Sequence, residues 1–86
     1  MMRGSAQLQM WNAIVGNNIR VARQSSNLTQ QVIALEMGIS FQQVQKYETA
    51  ASRISVGKLY EISKVLDIPV SELFKGCEGG DELAGS

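Results

Sequence analysis

With 86 residues, the chain can build one hydrophobic core and not two. It contains no histidine and a single cysteine, Cys77, which excludes Ser-His and Cys-His nucleophile pairs, a zinc cluster and an internal disulfide. Formal net charge is zero, but residues 1–64 carry seven bases and three acids while residues 65–86 carry one base and five acids.

The chain opens Met1-Met2-Arg3-Gly4-Ser5, which has no long apolar stretch of the signal-peptide kind and resembles an expression-vector leader. Residues 1–8 are expected to be a flexible leader and residues 9–76 the folded domain. Apolar residues then recur at helical spacing, and β-branched alternation is nowhere sustained. The first helix is expected from about Gln9 to Ser25, with Val15, Ile19 and Ala22 as its core stripe and Met10, Trp11 and Ile14 extending it backward.

Ser25-Ser26-Asn27 is a polar break. Thr29 reads as an N-cap for a second helix, about Gln30 to Met37, that buries Ile33, Ala34 and Met37. Val32 and Leu35 fall on its outer side. Gly38 sits just past its end, where a left-handed residue is needed. Ser40 caps a third helix, Phe41 to about Glu48, with Val44 and Tyr47 inward. After a polar loop, Ser55 caps a fourth, Val56 to Leu66, whose inner face carries Leu59, Ile62, Val65 and Leu66. Asp67-Ile68-Pro69 stops it, because proline disfavours the α region for its predecessor. Ser71-Glu72-Leu73-Phe74 opens a short fifth helix ended by Gly76. Residues 77–86 are expected to form a disordered acidic tail.

The segment Thr29–Glu48 is therefore two short helices joined by Gly38-Ile39-Ser40, the length and composition of a helix-turn-helix corner. An ordinary helical corner has the same pattern. The outer side of the third helix adds chemistry: Phe41, Gln42, Gln45 and Lys46 share a face without any acid, with Gln43 at its edge. A glutamine can present donor and acceptor together to adenine in the major groove, lysine can reach guanine or phosphate, and Phe41 can touch a thymine methyl. The same residues also suit a merely soluble helix with Phe41 partly in the core. Gln30, in the first turn of the second helix, could add a side-chain donor to the free amides there, which suit a phosphate. No residue set supports catalysis, a cofactor or a metal, and no apolar run approaches a membrane span.

One order of residues is more specific. Gly16-x-x-Ile19-Arg20-x-x-Arg23, Thr29-Gln30-x-x-Ile33-Ala34-x-x-x-Gly38-Ile39-Ser40, Val44-x-x-Tyr47-Glu48 and Leu59-x-x-Ile62-x-x-x-Leu66-x-Ile68 resemble the Cro and phage-repressor-like (XRE) family of transcription regulators, from about Val15 to Phe74. The resemblance implies an all-α, compact five-helix bundle with a helix-turn-helix, like the lambda-repressor DNA-binding domain, that binds double-stranded DNA as a regulator in a bacterial or phage-encoded cytoplasmic setting. It implies base contacts from Phe41, Gln42, Gln45 and Lys46, and phosphate contacts from Gln30, Gln43, Ser52 and Arg53. It also implies a structural ion pair between Arg23 and Glu48. A homodimer is the usual assembly, and Leu73 with Phe74, or Leu8, Met10 and Trp11, are candidate contacts; burial in the chain's own core is the alternative for both and the favoured reading for Phe74. The loop Thr49-Ala50-Ala51-Ser52 departs from the family pattern, in which glycine and further polar or basic groups are frequent. Two alanines offer phosphate no side-chain donor, and glycine would ease a left-handed turn. A second reading stays open on that loop and on zero net charge: a protein-interaction module of the same fold, antitoxin-like, with weak DNA affinity and a protein partner.

Overall fold

A computed structural model describes residues 2–78. Four α-helices follow in order, α1 (Met2–Ser25), α2 (Gln30–Met37), α3 (Phe41–Glu48) and α4 (Val56–Leu66), and a 3-10 helix spans Val70–Phe74. Among the described residues there is no strand.

Local side-chain chemistry starts three of the helices. Thr29, Ser40 and Ser55 have extended backbones, and their hydroxyl oxygens accept from the N–H groups of Val32, Gln43 and Lys58 at 3.1, 3.1 and 3.2 Å. Each cap contributes about 1 kcal/mol by occupying a donor that the first helical turn leaves unpaired. Gly38 closes α2 in the left-handed region, at φ 67°, and the N–H of Ile39 then reaches back to the carbonyl of Ala34 at 3.0 Å. Asp67 closes α4 with the same geometry at φ 58°, two residues ahead of Pro69. Ser63, buried in α4, has its hydroxyl donating to the carbonyl of Tyr60 at 2.6 Å.

The core joins every element. Ile19 of α1, Ile33 of α2, Val44 of α3, Ile62 of α4 and Leu73 of the 3-10 helix have no exposed surface. Each contributes about 1.5–3 kcal/mol relative to an exposed side chain. Val15, Ala34, Met37, Leu59 and Leu66 complete the cluster.

Three expectations are corrected. The fifth helix is not an α-helix. Five residues are too few for a ladder of i→i−4 bonds, and Pro69 at its head supplies no side-chain cap. The N–H of Glu72 instead bonds to Pro69 O at 3.0 Å, the tighter spacing of a 3-10 turn. At its other end the amide of Asn18 donates to the carbonyls of Leu73 and Lys75, both at 2.9 Å, so α1 supplies the partners that a longer helix would have found within itself. Next, α1 starts at Met2 rather than near Gln9: no proline interrupts residues 2–8, and Ala6, Gln7 and Leu8 are good helix formers. Finally, Leu73 is core and cannot contact another molecule. Most of the expected acidic tail lies outside the described residues. Its first residue, Cys77, packs against the core.

Candidate nucleic-acid interface

The placement of α3 depends on a buried carboxylate at its end. Glu48 has 2% of its side chain exposed, and three N–H groups surround it. Arg23 Nε donates to Oε2 at 2.6 Å, Arg23 Nη2 donates to Oε1 at 3.1 Å, and Gln30 Nε2 donates to Oε1 at 2.9 Å. Arg23 Nη1 reaches the carbonyl of Leu28 at 2.9 Å. The bidentate pair thus ties α1, the following loop, the first turn of α2 and the last turn of α3 together. Because the carboxylate is charged and hydrogen-bonded on both oxygens, its burial is compensated.

Gly16 lets α1 come close to that junction. A Cβ built at Gly16 would stand 2.5 Å from Tyr47 O and 2.8 Å from Glu48 O. Only a residue without a side chain permits this approach of helix to helix end.

With Val44 and Tyr47 buried, α3 turns Gln42, Gln45 and Lys46 to solvent, and Phe41 keeps 37% of its surface exposed. Gln43 is half-buried, with its N–H occupied by the Ser40 cap. Beside this face, Asn17, Arg20, Gln24 and Gln30 line one groove together with Gln45, Lys46 and Thr49, over the Arg23–Glu48 pair. The structure therefore brings Gln30, Gln45 and Lys46 together. Phe41 and Gln42 stand outside the groove on the exposed side of the helix. Arg53 lines a separate hollow with Gln9, Asn12, Ala50 and Ala51.

Asn17 and Gln24 are not singled out by the sequence motifs, and Arg20 appears in one without a binding role, although their i, i+3, i+7 spacing marks one stripe of α1. Arg20 Nη2 donates to Asn17 Oδ1 at 2.9 Å. The ion pairs among the described residues are Arg23–Glu48, Lys58–Glu61 and Lys75–Glu72, and Lys64 lies 5.0 Å over the Tyr60 ring. Arg20, Lys46 and Arg53 have no carboxylate partner among the described residues; Arg20 and Lys46 share the groove beside α3, and Arg53 lies in the separate hollow.

The loop after α3 turns sharply. Thr49 closes the helix, its hydroxyl donating to Gln45 O at 3.0 Å, and Ala50 adopts φ 63°. The N–H groups of Ala50 and Ser52 are used, reaching Tyr47 O and Lys46 O at 3.2 and 3.1 Å. The left-handed residue that sequence associates with glycine is here an alanine.

A profile of the HTH_3 helix-turn-helix family matches residues 19–73. An uncharacterized transcriptional regulator in the ATPase CF(0) region of Rhodospirillum rubrum is 43% identical over 70 residues, covering 81% of this chain and 65% of that protein. An uncharacterized HTH-type transcriptional regulator of Sinorhizobium medicae is 38% identical over 65 residues, covering 76% of this chain and 47% of that protein. The crystal structure of the restriction-modification controller protein C.AhdI from Aeromonas hydrophila is similar with a TM-score of 0.69 at 26% identity, covering 72% of this chain and 94% of that one. The chain thus matches about half to two thirds of the length of these two regulators. The matched residues include the Thr29, Ser40 and Ser55 caps, the Gly38 turn and both members of the Arg23–Glu48 pair, and the chain belongs to the XRE-type helix-turn-helix family.

Proposed function

We propose that the chain binds duplex DNA sequence-specifically as a transcriptional regulator, with α3 lying in the major groove. The observation that carries this reading is the acid-free exposed face of α3, held at a fixed angle by the buried Glu48. Gln42 and Gln45 would read adenine edges, Lys46 a guanine, and Phe41 a thymine methyl, each good bidentate contact discriminating by about 1–3 kcal/mol. Gln30, Gln43, Ser52 and Arg53 would flank these contacts on the phosphates. The relatives are named as transcriptional regulators, which favours the same reading. Its setting would be the bacterial cytoplasm.

The reading includes a homodimer on two half-sites about 34 Å apart. Val56, 85% exposed, lies beside Trp11 and Phe74 around an apolar hollow that a second copy could cover. The same hollow also favours the second reading, a module that docks a protein and binds DNA weakly. Selection of bound sequences from a randomised duplex library at low salt decides between them. The proposal expects a two-fold-related motif whose affinity falls steeply with salt. Absence of enrichment overturns it.

A further inference from the structure

The groove between α1 and α3 has a charge balance that the base-reading face does not explain. Its one carboxylate, Glu48, is already saturated by Arg23 and Gln30. That leaves Arg20 on one wall and Lys46 on the other, both exposed and without an acidic partner among the described residues. Arg20 is also held in place, because Asn17 Oδ1 accepts from its Nη2 at 2.9 Å while its other side-chain N–H groups make no hydrogen bond among the described residues. Gln30 commits one amide hydrogen to Glu48 and retains a second on the same nitrogen. Donors without a competing acceptor charge, converging on a groove, are what a phosphate requires.

We infer that Arg20, steered by Asn17, and the uncommitted amide hydrogen of Gln30 form a seat for a backbone phosphate of the bound duplex, beside the base-reading Lys46, so that the contact surface extends from the helix-turn-helix onto α1. This rests on the DNA-binding reading above. It separates Arg20 from Arg23: three residues apart on one helix, Arg23 is spent on the fold and Arg20 is free for the ligand. The contact would carry no base information, since a phosphate is the same at every step.

The test compares wild type, Arg20→Ala, Arg20→Lys and Lys64→Ala on the selected duplex and on unrelated duplexes across a salt series. Lys64 lies over Tyr60 on α4, away from the groove, and serves as the control. Arg20→Ala is expected to weaken all duplexes about tenfold at low salt, with base preference unchanged and the log–log salt slope reduced by about one. Arg20→Lys keeps the slope. If Arg20→Ala lowers the melting temperature, Arg20→Gln, which removes the charge and keeps a polar stem, gives the same slope reading. Wild-type DNA binding with an unchanged slope in Arg20→Ala overturns the seat and leaves the function standing. Failure of wild type to bind any duplex overturns both. A third arm adds inorganic phosphate at matched ionic strength: stabilisation of wild type that Arg20→Ala abolishes, together with an unchanged salt slope of Arg20→Ala on duplex, would assign the groove to a free anion and overturn the duplex assignment.

Discussion

Arg23 and Glu48, 25 residues apart in sequence, meet through two hydrogen bonds in a part of the molecule where Glu48 has almost no contact with solvent. Removing one partner of such a pair strands the other charge and costs about 3–5 kcal/mol. Against a total stability of about 5–15 kcal/mol, that is a fifth or more of the fold. Glu48→Ala and Arg23→Ala are each expected to lose about this much in urea unfolding. The double variant Arg23→Met/Glu48→Met should lose less than either, because no charge is left buried. Single-variant losses below about 1 kcal/mol would mean that the pair behaves as a surface contact.

Gly16 is the steric counterpart of that pair. Replacing a helical glycine by alanine ordinarily gains about 1 kcal/mol of helix propensity. At Gly16 the new methyl would meet backbone oxygens at 2.5 and 2.8 Å, and backbone cannot swing aside as a side-chain tip can. Overpacking of this kind costs about 1–3 kcal/mol. The expected result for Gly16→Ala is therefore a net loss of up to about 2 kcal/mol, read from the midpoint of chemical unfolding. Gly57, whose Cβ would meet nothing within 4 Å, is the control: Gly57→Ala should be neutral or stabilising.

Ala50 offers the opposite sign. Its φ of 63° costs an L-residue roughly 1–2 kcal/mol, and glycine avoids that cost while adding about 0.5–1 kcal/mol of unfolded-state entropy. Ala50→Gly is expected to stabilise the chain by up to about 1 kcal/mol, which for a domain of this size raises the melting temperature by about 4–8 °C. A lowered melting temperature would show that position 50 is not left-handed in solution.

What could be read from the sequence was local. Thr29, Ser40 and Ser55 act within their own first turns and Gly38 within its own residue, so their chemistry is visible in a short window. What could not be read needed a partner from elsewhere in the chain. The 3-10 form of Val70–Phe74 depends on Asn18 reaching its carbonyls from α1. The link from Gln30 to Glu48 turns a residue expected to face phosphate into one whose amide is half committed to the fold. Leu73 was a candidate contact for a second copy, but packing against α1 and α4 buries it completely. For the candidate interface, α3 was legible from its acid-free face, while the stripe of Asn17, Arg20 and Gln24 acquires meaning only when α1 is laid beside α3.

The proposed interface separates base reading from backbone binding, and two exposed residues test that separation. Gln42 is exposed on α3, outside the groove, and its side chain makes no hydrogen bond among the described residues. Its truncation should cost little stability, within about 0.5 kcal/mol for an exposed site. Gln42→Ala is expected to relax preference at one or two positions of the selected motif, with a loss of about 1–3 kcal/mol on the best sequence and almost none on unrelated duplexes. Arg53, exposed beside the Ala50–Ala51 turn, should do the reverse: Arg53→Ala weakens every duplex about equally and lowers the salt slope by about one. Affinities of both variants for the selected motif and for a scrambled duplex, at two salt concentrations, give all four quantities. If Gln42→Ala instead weakened both duplexes equally, Gln42 would lie on the backbone and α3 would not be docked with that face toward the bases.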